Sequence, residues 1–260
     1  MTTDISDEVE YVENIIPLFS SNILTQGKFT LPNGCDLICF TRTKRNTDFA
    51  VRDSLFVDDV WPGSRVLADF LIENCEVVIG KSCLELGSGG ALPSLVAASV
   101  GARRVVITDY PAEGVIENIM NVISANSITN AIAVGHIWGI ENVPPILNLG
   151  DISATDEREG YDVVFLAELL WKDTYPLHRK LLESLSACLN RQTGIAYMTV
   201  AHRPTSVLIN HSAEHDMEFF SVAFSEFGLQ HKLIQTSSKY HDVDETVPIN
   251  VYLFSLNFVS

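Results

Sequence analysis

Positive charge is scarce in this sequence. Its 17 Lys and Arg stand against 33 Asp and Glu, a formal charge of −16, and such a field repels phosphate backbones, so direct nucleic-acid binding is disfavoured. The same acidity either steers a basic partner inward or serves solubility alone. Long apolar runs are missing too: nothing reaches the roughly 18 residues of a membrane span. The opening MTTDISDEVEYVEN has neither the basic nor the apolar region of a secretory signal. A soluble, cytoplasmic protein that avoids membranes is expected. Cysteines are few and unpaired in pattern, since Cys35, Cys39, Cys75, Cys83 and Cys188 are odd in number and form no Cys-x-x-Cys. That argues against a disulfide framework and a zinc knuckle. His211 and His215 lie four apart, but without a third ligand in an HExxH-like pattern no metal site is expected.

What the sequence does contain is CLELGSGGALPSLVAASVGARRVVITD, from Cys83 to Asp109: a buried strand, a Gly-rich turn, a helix and a second strand ending in a carboxylate. This layout builds a nucleoside cofactor pocket, because turn glycines let the backbone approach the ligand and the terminal acid accepts both ribose hydroxyls. A dinucleotide fingerprint requires a third Gly three residues after the second. Here Gly87, Ser88 and Gly89 are followed by Gly90, Ala91 and Leu92, so that Gly is absent, and no Gly-Lys-Ser/Thr follows to make a P-loop. Glu85 stands two residues before the first Gly. An anion there opposes a pyrophosphate but suits the ammonium of S-adenosylmethionine, and a methyl-donor site is favoured over a nicotinamide dinucleotide.

A chain of 260 residues, 47% hydrophobic, can bury one full core. Short apolar runs at Ser82–Leu86, Val105–Thr108, Ala131–Ile137, Val163–Ala167 and Ile195–Val200 read as strands buried on both faces of a parallel sheet. Helical patterns separate most of them. Trp61-Pro62 opens a helix with Val66, Leu67, Phe70 and Leu71 at helical spacing. A second starts at Pro111 with Val115, Ile116, Ile119, Met120 and Ile123 inward, and a third runs near Pro176 to Leu189. A fourth, EHDMEFFSVAFSEFG, presents Met217, Phe220, Phe224 and Phe227 on one side and stops at Gly228. Leu229–Thr236 and Asn250–Phe258 follow with no helix between them, which predicts an antiparallel pair. Phe29–Phe40 reads as a hairpin turning at Pro32, Asn33 and Gly34, and Gly139–Gly160 as a long connector. The expected fold is α/β: a Rossmann-like seven-stranded sheet, mostly parallel with a C-terminal antiparallel hairpin and helices on both faces. An N-terminal β-hairpin extension (1–54) precedes the main domain (55–260).

In order, VWPGSRVLADFL, LELGSGGALPSLVA, VVITDYP, HIWG, FLAELLW and AHRP…HDMEFF resemble the class I, seven-stranded S-adenosylmethionine-dependent methyltransferases. Within them they look like the eukaryotic protein N-terminal and lysine methyltransferases of translation elongation factor 1-alpha. The resemblance covers roughly residues 55 to 258. It implies S-adenosyl-L-methionine as cofactor, S-adenosyl-L-homocysteine as product, and a protein substrate; a monomer is expected over an oligomer. It places Gly87, Ser88 and Gly89 beneath the cofactor, Glu85 at its amino-acid end, Asp109 on the ribose, and Tyr110 and Pro111 beside the adenosine. Ala167, at the end of its strand, is counted with these cofactor-binding residues. Trp138 matches a Trp that packs on adenine, against the plainer reading of a core Trp at a strand end. Trp61 matches an aromatic closing the methionine end, against an anchor for a helix start. Related sequences often carry Gly in place of Ala91 and Asp in place of Glu168.

Transfer to nitrogen is an in-line displacement at an activated sulfonium, so the protein chiefly positions a neutral amine and excludes water. Glu168, directly after a strand, is read as capturing and aiming the acceptor ammonium, or else as an ordinary helix-start acid. Trp171 would wall the amine, while His202 and Arg203 either line the substrate mouth or open an unremarkable loop. A small-molecule, nicotinamide-like N-methyltransferase remains an alternative, separable by an enclosed rather than open pocket. A non-catalytic S-adenosylmethionine-binding scaffold is a further one.

Overall fold

Apolar runs too short for helices and flanked by turn residues become strands here, and in a computed structural model their order follows the chain. The structure describes residues 24–31, 34, 36–42, 60–112, 114–147, 149, 160–170, 174–202, 213–241 and 249–259. A hairpin of β1 (Leu24–Thr30) and β2 (Asp36–Arg42) comes first. It is followed by α1 (Pro62–Glu73), β3 (Ser82–Leu86), α2 (Leu92–Ser99), β4 (Arg104–Asp109), α3 (Val115–Ala125) and β5 (Ala131–Gly135). The second half holds α4 (Val143–Leu147), β6 (Val163–Ala167), α5 (His178–Cys188), β7 (Ile195–His202), α6 (Ala213–Phe227), β8 (Leu229–Ser237) and β9 (Asn250–Phe258).

Seven strands form one sheet in the order β5-β4-β3-β6-β7-β9-β8. The first five are parallel, and β9 inserts antiparallel between β7 and β8. Every residue of β3 and β6 is buried, as a parallel strand covered on both faces requires. Alternate side chains divide the core in two. Cys83, Val105, Ile107 and Phe165 face Leu67, Leu71, Leu95 and Ile119 of α1, α2 and α3. Leu84, Leu86, Val106 and Val164 face Ile146, Leu181, Leu185 and Phe220 of α4, α5 and α6. Each such leucine contributes roughly 1.5–3 kcal/mol by leaving water.

The hairpin shares the first of these cores through Leu31, Leu37 and Cys39. Asn126, just past α3, pins it in place: its side chain accepts from the Ile38 N–H at 2.6 Å and donates to the Ile38 carbonyl at 2.7 Å. Gly34 takes φ +80° in its turn; Pro32 and Asn33 lie outside the described residues.

Several expected details are shifted. The helix after Asp109 starts at Val115, not Pro111, because Gly114 adopts φ +78° at its cap. Its Met120 is exposed, and Val122 takes the inward place. On α6, Met217 and Phe224 also point outward, while Phe219, Phe220 and Ala223 are buried. The aromatic partners set this rotation: Phe220 stacks on His231 of β8 at 4.4 Å and meets Phe254 of β9 at 4.7 Å. The connector after Gly139 contains α4, which buries Val143 and Ile146; its two prolines sit in a first turn, where their missing N–H groups are not needed. Residues 150–159 of that connector lie outside the described ones. Among the described residues no helix is long and apolar enough to cross a membrane, and no cluster of His, Cys, Asp and Glu could hold a metal ion.

Candidate active site at the carboxyl edge of the sheet

The sheet changes direction at β3, with β4 on one side and β6 on the other. In open α/β sheets the crevice beyond the carboxyl ends of two such strands is where ligands bind. Gly87 to Gly90 leave β3 at that crevice, and Glu168 to Leu170 leave β6.

Gly87 and Gly89 take φ +67° and +51°, a region that side chains disfavour. At Gly87 the space is also closed: a Cβ would lie 2.7 Å from a methyl of Leu169 and 3.2 Å from the ring of Trp138. Thus Trp138, from the loop after β5, and Leu169, from the loop after β6, converge over the Gly turn. The Gly89 N–H donates to one oxygen of Asp109 at 2.7 Å, and the Tyr110 N–H donates to the other at 2.6 Å. Each oxygen retains a lone pair for a further donor. Asp109 is therefore oriented by the turn itself. Ala91 sits at φ +59°, ψ +19°, capping α2, so the absent glycine leaves an alanine in left-handed backbone at a cost of about 1–2 kcal/mol.

Glu85 lies on the α2 side of β3 and is wholly buried. The Ser94 N–H donates to its Oε2 at 3.3 Å, but Oε1 has no hydrogen-bond partner, and neither does the buried hydroxyl of Ser88 in the Gly turn. Burial pushes the Glu85 carboxyl up to about 8, and the Asp109 charge adds to the effect. Burial raises Asp109 as well. An unpartnered buried carboxylate is costly unless a cation or donor meets it. A ligand with a cationic amino-acid end for Glu85 and a diol for Asp109 fits this donor and acceptor set.

Of the other expected site residues, Tyr110 and Pro111 lie exposed on the rim. Pro111 packs against Gly135, where a Cβ would meet it at 2.6 Å. Ala167 ends β6 with its side chain in the core. Trp61 is half-buried and immediately precedes α1. His202 ends β7 with its ring 4.8 Å from that of Tyr252. Trp171 and Arg203 lie outside the described residues. Glu168 is buried and takes φ +59°. Its own N–H donates to the Thr199 carbonyl at 3.0 Å, while its Oε2 accepts from the N–H of Gly63 in α1 at 2.7 Å. As an acid it does face a helix N-terminus, but that of α1, 105 residues away in sequence.

The lysine methyltransferase family model matches residues 53–225. The chain belongs to that family. Similar curated proteins are named protein N-terminal and lysine N-methyltransferase EFM7. The one from Gibberella zeae is 32% identical over 63% of this chain and 63% of its own length. That from Schizosaccharomyces pombe is 34% identical over 66% and 65%, and that from Neurospora crassa 28% over 76% and 68%. The chain thus spans just under two-thirds of the length of the first two. Among solved structures, SMU.776, assigned as a methyltransferase and solved with SAH, superposes with a TM-score of 0.53 at 16% identity, covering 92% of this chain and 57% of that one. PH0793 from Pyrococcus horikoshii, assigned as a transferase, gives 0.51 at 13% identity over 93% and 75%. These likenesses show the fold.

Within this lysine methyltransferase family member, several residues shape the site without a local signal. Leu169 walls the Gly turn, and Ser94 holds Glu85. His136 sits buried beside Ser184 of α5, its Nε2 3.1 Å from the hydroxyl, which also accepts the Gly139 N–H at 2.8 Å. Trp138 is carried between those two anchors. Burial holds the His136 ring below the usual imidazole range. Gly63 was visible in VWPGS, but the contact that makes it necessary was not.

Proposed function

We propose that this chain transfers methyl groups from S-adenosylmethionine to protein nitrogen, an N-terminal amine, a lysine or both, with translation elongation factor 1-alpha the favoured target. The observation that carries the cofactor is the buried Glu85 with its unpartnered Oε1 beside the Gly87 turn. The acceptor class rests on the family and on the names its relatives bear. The formal charge of −16 supports a basic protein over a nucleic acid, and we take the enzyme to act as a cytoplasmic monomer.

Bound in the crevice, S-adenosylmethionine supplies a methyl group already activated on sulfur. Glu85 holds its ammonium end, Asp109 its ribose, Tyr110 and Pro111 flank the adenosine, and Trp138 stacks near the Gly turn. Trp61 closes the methionine end. The acceptor must arrive neutral. A lysine with a reference pKa of about 10.4 is neutral about one time in a thousand near pH 7.4, a cost of roughly 4 kcal/mol, against less than about 1 kcal/mol for an α-amine. The apolar Leu169 and Leu170, both buried beside the crevice, favour the neutral form by keeping water away. Solvent then takes the proton.

The test is incubation of the purified chain with isotope-labelled methyl donor and an extract from cells lacking this activity, followed by mass spectrometry. Label on a protein amine is expected, with elongation factor 1-alpha examined first. Label confined to a small metabolite overturns the protein-acceptor reading, and binding without transfer leaves a scaffold.

A further inference from the structure

We propose that Glu168 is a positioning residue: through a hydrogen bond, and not through its charge, it latches the first turn of α1 to the ends of β6 and β7, and so sets Trp61 beside the crevice. The inference rests on the methyl-transfer reading for its kinetic consequence and on geometry alone for the latch.

Gly63 is the second residue of α1, and its N–H belongs to the first turn, where no carbonyl within the helix can accept it. The Glu168 Oε2 accepts it at 2.7 Å and so satisfies one of the orphan donors of the first turn. The approach is so close that a side chain is excluded. A Cβ on Gly63 would stand 2.8 Å from Glu168 Oε2, 3.0 Å from Glu168 Cβ and 2.7 Å from Thr199 Oγ1. The backbone bond from Glu168 N–H to the Thr199 carbonyl closes the third side. Three elements, α1, β6 and β7, therefore meet at one point, and the residue before Pro62 at that point is Trp61.

Glu168 reaches α1 from left-handed backbone, φ +59°, which a long side chain tolerates poorly. Retaining a strained residue is intelligible if its reach matters. An aspartate is one methylene shorter, and restoring the bond would drag α1 by about 1 Å, a displacement that can cost on the order of 10²-fold in rate. A carboxylate acting by charge on an acceptor ammonium has the opposite tolerance: Asp keeps the charge and Gln abolishes it.

The experiment compares Glu168→Gln, Glu168→Asp, Glu168→Ala and Gly63→Ala in two ways. Hydrogen exchange of the segment bearing the Gly63 amide is followed in the cofactor-free chain. Steady-state methylation of an acceptor protein is followed with saturating cofactor and acceptor. The latch predicts that Glu168→Gln keeps the amide protected and kcat within about fivefold. Glu168→Asp, Glu168→Ala and Gly63→Ala lose protection about tenfold or more and kcat on the order of 10²-fold. The double variant Gly63→Ala/Glu168→Ala is no worse than either single one. Full activity in Glu168→Asp with Glu168→Gln as poor as Glu168→Ala overturns the proposal in favour of charge. Unchanged exchange at Gly63 in Glu168→Ala overturns the latch itself. If the unaltered chain methylates no protein, exchange still decides the latch, and the failure falls on the functional reading.

Discussion

Glu85 makes a prediction that can be followed from burial to a binding curve. Its carboxyl is wholly buried and titrates near 8 instead of 4.5, so at pH 7 only about one chain in ten carries the charge before ligand binds. A cationic amino end in the crevice requires the ionised form. Binding should therefore release close to one proton at pH 7. Each unit of acidification below about 8 makes ionising Glu85 about tenfold less favourable, so S-adenosylmethionine should bind about tenfold more weakly at pH 6 than at pH 7. Titration calorimetry in two buffers of different ionisation enthalpy counts the proton. Glu85→Gln is the control, since the ligand's own α-amine titrates near 7.7–8.0 in both proteins. It should bind on the order of 10- to 100-fold more weakly at pH 8, having lost a charge-assisted hydrogen bond, and show no slope between pH 6 and 7. The same burial has a stability consequence of known sign. Because the native carboxyl holds its proton to about 8 and the unfolded one only to about 4.5, no penalty exists below pH 4.5. It grows as pH rises to about 8 and is then constant, on the order of 4–5 kcal/mol. Glu85→Gln should therefore melt higher than the unaltered protein above pH 8. Equal affinities at pH 6 and 7, or proton release indistinguishable from that of Glu85→Gln, would refute the reasoning.

Asp109→Ala removes the acceptor of the Gly89 and Tyr110 N–H groups together with the ribose partner; calorimetry should record at least about 100-fold weaker cofactor binding, two charge-assisted bonds being lost. Gly87→Ala meets both the +67° backbone angle and the Leu169 methyl, and should lower thermal stability by about 1–2 kcal/mol and weaken cofactor binding as Leu169 and Trp138 are pushed aside. If the acceptor is a basic protein, kcat/KM for it should fall as ionic strength rises from about 0.01 to 0.15 M, where screening shortens from roughly 30 to 8 Å, while cofactor affinity changes far less; parallel salt dependences would contradict steering.

The strands of the sheet were legible because parallel strands covered on both faces need uninterrupted apolar runs, and β3 and β6 have the bounds that such runs suggest. Helix existence was legible for the same reason, but helix rotation was not. Met217, Phe220, Phe224 and Phe227 are as good a helical stripe as Phe219, Phe220, Ala223 and Phe227. Only the rings of His231 and Phe254 choose between them. At the Gly turn, Gly87, Gly89 and Asp109 lie within one βαβ unit, so local spacing predicts their meeting. Elsewhere on that edge, Trp61, Glu168 and His202 come from three separate segments. Their residue types and edge positions can be read, whereas their hydrogen-bond partners cannot.

The sequence by itself determined that this chain would form a doubly covered α/β sheet and that a Gly-rich turn after β3 would stand between the carboxylates of Glu85 and Asp109. Both follow from chemistry within a few dozen consecutive residues. Only the tertiary structure decided that Ala91 and Glu168 would occupy left-handed backbone, that Glu85 would be left with an unpartnered oxygen, and that Glu168 would bind the start of α1. The last of these depends on β6 lying next to β7 in the sheet, an order set by how the whole chain buries its apolar surface and one that no local pattern around Glu168 records.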